Sequence, residues 1–333
     1  MKKKLIFSCL ILFTGYILIF PQDAVAAAAG GLVLWYEKVL PTLLPFAILS
    51  NILIYSGYLQ YLNRLFAPLL CRLFPVSANG AFILLSGFLF GFPMGSKNCA
   101  ELLKCGRIDK KEADVLFVIT NNISPVFISS YILCQQLKMP SLIIITYLIL
   151  YLPPLILAEL LLRKNENLHI KFNISRRYSL QHSSSPESTH YKQEFSGNTE
   201  KSPASQMNFK IIDAGIMNGF ETLTRLGGYI MLFSMIASMI RNLPLSSDAK
   251  LLLTGMTEIT NGISLLPTSG KCNSQQYILA MAFTAFGGLS GIAQTSSMTK
   301  DTGLSLKKYS ILKIFLAVCA AILAWGVTVL LHI

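Results

Sequence analysis

Apolar residues along this chain run in long blocks separated by short clusters of Gly, Pro, Asn, Ser and Thr. Leu142–Leu162 and Ile311–Leu331 are nearly uninterrupted apolar runs, each near the ~20 residues that a helix needs to cross a hydrocarbon core of ~30 Å. Neither block alternates with period two, so neither reads as a barrel strand, and a helix is the element left that satisfies its own backbone in lipid. The pattern predicts helices near residues 5–20, 28–58 with a break at Pro41 and Pro45, 79–90, 111–136, 140–163, 209–241, 249–266, 275–286 and 306–331. Several of these are too short to cross alone. Short apolar pieces interrupted by Gly and Pro predict re-entrant hairpins, which are admissible only where protein or a watery cavity receives the freed backbone groups. Leu59–Phe74, with Arg64 and Arg72 among Leu and Phe, reads as an amphipathic helix along the membrane interface. The fold class expected is all-α, a polytopic membrane protein with re-entrant or broken helices.

Composition agrees with the pattern. Hydrophobic residues are 53% of the chain and charged residues 13%, against about 25% charged in soluble domains. The formal charge of +12 comes from 28 Lys and Arg against 16 Asp and Glu. The basic residues stand at the flanks of apolar runs: Lys2–Lys4, Arg163 and Lys164, Arg176 and Arg177, and Lys307, Lys308 and Lys313. That placement points to the lipid bilayer as partner and not to nucleic acid, and it puts the N-terminus in the cytoplasm. The seven cysteines are scattered without a C-x-x-C pair, and the four histidines have no metal-ligand spacing, so neither a disulfide framework nor a metal is expected. Lys2–Lys4, the apolar run Leu5–Phe20 and Ala24-Val25-Ala26 imitate a cleavable signal peptide; an uncleaved signal-anchor helix over residues 1–23 is the simpler reading when so many apolar segments follow.

The composition breaks sharply over residues 164–208, where Ser, Pro and His replace aliphatic residues. This stretch is expected to be a flexible polar linker between two hydrophobic halves, residues 24–163 and 209–333. The halves echo each other in order. Gly31 to Glu37 in one corresponds to Gly215 to Glu221 in the other, and Gly91-Phe-Pro-Met-Gly95-Ser96 to Gly287-Gly-Leu-Ser-Gly291. Internal duplication places a site at the interface of the repeats near mid-membrane, so Gly91–Lys97 and Gly287–Gln294 are expected to lie together.

The candidate chemistry sits at the interruptions. Gly91, Pro93, Gly95, Ser96 and Lys97 free backbone amides at the start of a helix, and a helix N-terminus beside a lysine attracts anions; a connecting turn with Lys97 snorkelling to head groups is the plainer alternative. Asn121, Asn122 and Ser124 precede Pro125 between two apolar runs. Amides there are costly unless partners or a solute meet them. In the second half the candidates are Glu221, Glu258, Thr260, Asn261, Gln294 and Ser296. Intramembrane carboxylates serve as ligands for an ion, a proton or a cation. Glu221 has Arg225 one turn away, whereas Glu258 has no such neighbour. No G-x-x-x-x-G-K-[ST], G-x-S-x-G or H-E-x-x-H signature occurs, so neither ATP-driven pumping nor an enzyme active site is expected, and no cofactor is implied.

Phe20-Pro21-Gln22-Asp23-Ala24, Gly31 to Trp35, Leu40-Pro41-Thr42-Leu43-Leu44-Pro45-Phe46, Gly91 to Lys97 and Asn121 to Pro125 together resemble the YlbJ-type sporulation integral membrane proteins, within the wider group carrying the nucleoside-recognition, or Gate, domain. The resemblance runs over nearly the whole chain outside the 164–208 stretch. It implies two Gate-like repeat halves in a multi-pass protein of the cell membrane of an endospore-forming bacterium. It further implies transport of a small-molecule solute, an anion with dipicolinate the first candidate, with a coupling ion as a further partner. A nucleoside transporter and a membrane scaffold for spore assembly without transport are the alternatives.

Overall fold

A computed structural model describes residues 2–164 and 209–332; the polar stretch between them, where the linker is expected, lies outside the described residues. All described elements are helical. α1 (Lys2–Ile19) is followed after one residue by α2 (Pro21–Leu34), a π-helical turn Trp35–Val39 and α3 (Leu40–Ser56), which together form one span of 36 residues. Ala24-Val25-Ala26 is thus helix interior, with Ala24 buried against Tyr16 and Met235. No break occurs at Pro41 and Pro45. The wide π turn precedes Pro41, which stands in the first turn of α3, where a missing N–H costs least.

α4 (Leu59–Leu73) turns 90° from α5 (Ala78–Phe90), consistent with an interfacial position. α5 and α6 (Met94–Lys104) form a hairpin whose tip is Gly91–Pro93. The amide of Asn98 donates to Ser86 Oγ at 3.0 Å, and these two positions are nearly equidistant from the tip. α7 (Lys110–Ile119), capped by Asp109 accepting from the N–H of Glu112 at 2.7 Å, stops at Thr120. The chain resumes as a π-helix, Phe127–Gln136, so the single helix expected over 111–136 is two. α8 (Ile143–Lys164) returns across the membrane.

The second half opens with the 34-residue α9 (Phe209–Asn242), antiparallel to the α2–α3 span: Gly31 meets Met231 and Ser234, while Gly219 and Gly215 meet Ile48 and Ile52. α10 (Ser247–Thr257) and α11 (Ile259–Leu265) divide the helix expected over 249–266. They fold back on each other so tightly that a Cβ at Gly262 would stand 2.2 Å from Gly255 Cα. That is a second re-entrant hairpin, with Glu258 at its tip. α12 (Asn273–Phe286) and α13 (Gly288–Met298) make one 26-residue span interrupted at Gly287 and Gly288, both at positive φ. α14 (Leu306–Leu331) ends the fold, capped by Ser305.

Apart from α1 and α4, which have no counterpart in the second half, each half runs long helix, hairpin, broken span, final helix. Among the described residues five helices are long and apolar enough to cross a membrane, or six with the bent α4–α5 pair counted. Lipid-facing positions such as Leu148, Leu152 and Leu160 on α8, and Ile322 and Val329 on α14, are exposed, as apolar side chains are when lipid replaces water. The fold is that of an all-α polytopic membrane protein.

Candidate functional site

The four interruptions meet. Hairpin one crosses broken span one so closely that Gly87 and Gly95 admit no side chain: a Cβ there would lie 2.4 and 2.2 Å from the Thr120 carbonyl oxygen. Gly91, at φ +74°, sits against the backbone of Ser124. The N–H of Phe92 donates to the Asn122 carbonyl at 2.5 Å. In the second half the same crossing brings Gly288 against Thr257 and Glu258. In the first half a backbone donor released by one break, the N–H of Phe92, is thereby met by an acceptor released by the other, as a low-dielectric surround requires.

A buried polar network joins the two halves. Ser96 Oγ donates to Asn121 Oδ1 at 2.9 Å. Asn121 Nδ2 in turn donates to Thr295 Oγ1 and to the Tyr309 hydroxyl, each at 2.7 Å. Lys313, only 2% exposed, donates to the Asn121 carbonyl at 2.9 Å and to Asn122 Oδ1 at 3.4 Å. Lys313 is thus not a flanking, lipid-head-group lysine as the charge pattern suggested. Its signal in the sequence is its place one helical turn after Tyr309, on the face that also buries Leu316, Ala320 and Ala324.

Beside this network lies a cavity of about 470 Å³. Its polar floor is Ser124 from broken span one, Glu258 and Thr260 from hairpin two, and Ser290 and Gln294 from broken span two; Phe92 enters from hairpin one. Phe90, Phe92, Phe127 and Tyr131 give it aromatic walls. Glu37, Lys38, Ser130 and Gln135, from the two π-helical segments, stand exposed at its mouth. π-Helical turns widen the helix and recur at functional sites.

Glu258 is 3% exposed. Its Oε2 accepts from the Thr260 hydroxyl, from the Asn261 N–H at 2.8 Å and from the Asn261 side-chain amide at 2.7 Å. These donors come from its own hairpin tip, so the carboxylate is stabilised without a cation. Gln294 donates to Ser290 Oγ at 2.7 Å, and its Oε1 is buried without a partner among the described residues. A buried acceptor left open beside a cavity is a place for a ligand donor.

Of the residues read from sequence, Ser124, Glu258, Thr260 and Gln294 line the cavity. Gly91, Pro93, Gly95, Ser96, Asn121 and Asn122 build the crossing behind it, and Asn261 ties Glu258 to Ser234 Oγ at 3.1 Å. Lys97 is placed elsewhere. It is buried, its ammonium donates to Asn51 Oδ1, and the start of α6 is filled by the Thr120 carbonyl. It neither snorkels nor faces the cavity, and the geometry carries no anion role for this turn. Glu221 is exposed and paired with Arg225 at 2.5 Å, away from the cavity. Ser296 is exposed as well, and its neighbour Thr295 is the residue in the network. The Gly91 and Gly287 segments do approach each other through Phe92 and Gly291. By element order, however, Gly287 corresponds to Asn121–Pro125 and the Gly91 tip to Glu258, because one pair interrupts spans and the other closes hairpins. Among the described residues no His, Cys, Asp and Glu group could hold a metal ion.

Residues 37–138, which contain hairpin one, broken span one and part of the helix before them, match the Gate family, described as nucleoside recognition. The chain is 28% identical, over 340 residues covering 96% of this chain and 81% of the relative, to the "Sporulation integral membrane protein YlbJ" of Bacillus subtilis (strain 168). No solved structure matches it. With five or six candidate spans among the described residues, the chain is a multi-pass membrane protein that is similar over most of its length to a sporulation integral membrane protein and matches the Gate family over residues 37–138.

Proposed function

We propose that this protein transports a small, flat, polar metabolite during endospore formation, binding it in the cavity where the two hairpins and two broken spans converge. The observation that carries the reading is that all four interruptions contribute to one cavity of about 470 Å³, within the size range of small-molecule sites. Discontinuous helices around a midplane cavity are the transporter arrangement, whereas a scaffold has no use for four costly backbone breaks at one place.

Four aromatic rings suit a planar heterocycle. Glu258 and the open Gln294 oxygen suit a solute that offers hydrogen-bond donors. The dipicolinate candidate implied by the resemblance is a dianion, and here it would meet Glu258 and Glu37 with Lys38 as the one lining cation. A neutral or donor-bearing heterocycle therefore fits the cavity better. Purified protein in liposomes, tested for flux of dipicolinate, nucleosides and nucleobases, checks this. Saturable flux of a donor-bearing heterocycle is expected; flux of dipicolinate alone would reverse the substrate reading. No flux of any solute, with spore assembly still dependent on the protein, would favour the scaffold.

A further inference from the structure

A second cavity, of about 360 Å³, lies end to end with the first. Along the α2–α3 span it is lined from Asp23 to Leu34, and the first cavity continues from Leu34 to Leu43. On the antiparallel α9 the order reverses, with Leu226 and Ile230 on the first cavity and Ser234, Ser238 and Arg241 on the second. Leu34, Tyr131 and Thr260 line both. Between Asp23, exposed on the second cavity, and Lys38, exposed at the mouth of the first, the helix rises ~22 Å at ~1.5 Å per residue, most of the ~30 Å of a hydrocarbon core.

We infer that the two cavities are the two ends of one path through the protein, divided by a gate of Leu34, Tyr131 and Thr260. The inference rests on the transport reading above. The partition is one layer of side chains. Leu34 comes from the long span, Tyr131 from the π-helix of broken span one, and Thr260 from hairpin two, so three separate elements must stay together to keep it shut. The Tyr131 hydroxyl donates to the Thr260 carbonyl at 3.4 Å, a long bond whose loss costs little. Thr260 is also tied to the binding carboxylate, because its hydroxyl donates to Glu258. Asn261 spans the partition, its amide reaching Glu258 at 2.7 Å on one side and Ser234 at 3.1 Å on the other. A solute that takes donors or acceptors at Glu258 competes with the bonds that hold the gate residues in place. Binding and gate release are thereby linked through one hairpin tip.

Thiol accessibility in sealed membranes tests this without a transport assay. Cys134 is a native free cysteine exposed at the mouth of the first cavity, and Ser264 is exposed on the second. A membrane-impermeant maleimide is added from either side to the full chain and to Ser264→Cys, and labelling is read peptide by peptide. Cys134 and the thiol introduced at position 264 are expected to label from opposite sides. Adding Tyr131→Ala to Ser264→Cys is expected to raise labelling of that thiol from the Cys134 side at least tenfold. Tyr131→Phe, which keeps the ring and the packing, should raise it by less, and this variant carries the test where the alanine variant fails to accumulate. Labelling of both thiols from one side, no labelling of Cys134 from either side, or labelling indifferent to Tyr131 would overturn the path. Opposite-side labelling without flux of any tested solute would leave the path standing and strike the substrate reading instead.

Discussion

A carboxylate at membrane depth persists only where donors or a cation compensate it, and at Glu258 three donors from residues 260 and 261 converge on one oxygen. Replacing it with Gln removes the charge and sets an amide among donors that need an acceptor. A charge-assisted hydrogen bond is worth ~1.5–3 kcal/mol, so Glu258→Gln is expected to lower flux roughly 10- to 100-fold in proteoliposomes at equal expression. Unchanged flux would move the site away from hairpin two. Lys313 poses the opposite problem, since its ammonium is buried against only a carbonyl and an amide oxygen, with no carboxylate within salt-bridge distance among the described residues. Taking an ammonium out of water costs several kcal/mol, so its retention points to positioning the Asn121–Asn122 break and not to stability. Lys313→Met should therefore leave the melting temperature in detergent unchanged or raised while flux falls. A parallel fall in both would make Lys313 a structural residue. Glu258 was legible in the sequence because a carboxylate without a nearby cation stands out in an apolar run. Lys313 was not, because a lysine at the third position of the run Ile311–Leu331 reads as its flank, and only the burial of Tyr309 one turn before it shows that both are inside. The buried place of Lys97 was not legible either, since its partner Asn51 lies 46 positions away.

Helix interruptions are cheap to write in sequence and ambiguous to read. The clusters at Gly91–Gly95, Asn121–Pro125 and Gly287–Gly291 all announce a break, and all three are breaks. Whether the chain then turns back or carries straight on is decided by contacts between distant residues: Ser86 with Asn98, or Gly255 with Gly262, marks a hairpin. The break at Glu258 was hidden because it contains neither Gly nor Pro and is closed by a side-chain cap. At such crossings glycine is required by space, and that demand can be measured. Gly262→Ala would push a methyl to 2.2 Å from the Gly255 backbone, where no rotamer relieves the clash, and overpacking of this kind costs ~1–3 kcal/mol. Thermal unfolding in detergent should show the loss. Gly326→Ala on α14, where nothing lies within 4 Å, should be neutral or stabilising by up to ~1 kcal/mol, the helix-propensity gain of Ala over Gly. Equal effects of the two substitutions would mean that hairpin two is looser than its packing indicates.

Over the whole molecule, the shared order of long helix, hairpin, broken span and final helix on either side of residues 165–208, with α1 and α4 added in the first half, and the antiparallel long helices are the arrangement an inverted-topology duplication requires. The halves are joined by more than the connecting chain. Small residues let the two long helices approach closely, as in membrane helix pairs generally: Gly215 and Gly219 meet Ile52 and Ile48, and Gly227 lies under the Trp35 ring. Polar bonds add to this packing. The Trp35 indole donates to the Leu223 carbonyl at 2.7 Å, and Asn51 donates to Gly215 O and Asn218 Oδ1 at 3.1 Å each. At the centre, Asn121 binds Thr295 and Tyr309. Bonds of this kind within a membrane are worth about 0.6 kcal/mol each on average, so a handful of them together with the helix packing should hold the halves without a covalent link. Residues 1–164 and 209–333, expressed as two chains in one cell with a tag on only the first, are expected to copurify from detergent. Gly219→Leu should weaken the pair, because even a Cβ there would stand 2.9 Å from the Ile48 side chain. Separation of the unmutated pieces would show that the connection, and not the interface, keeps the cavity assembled.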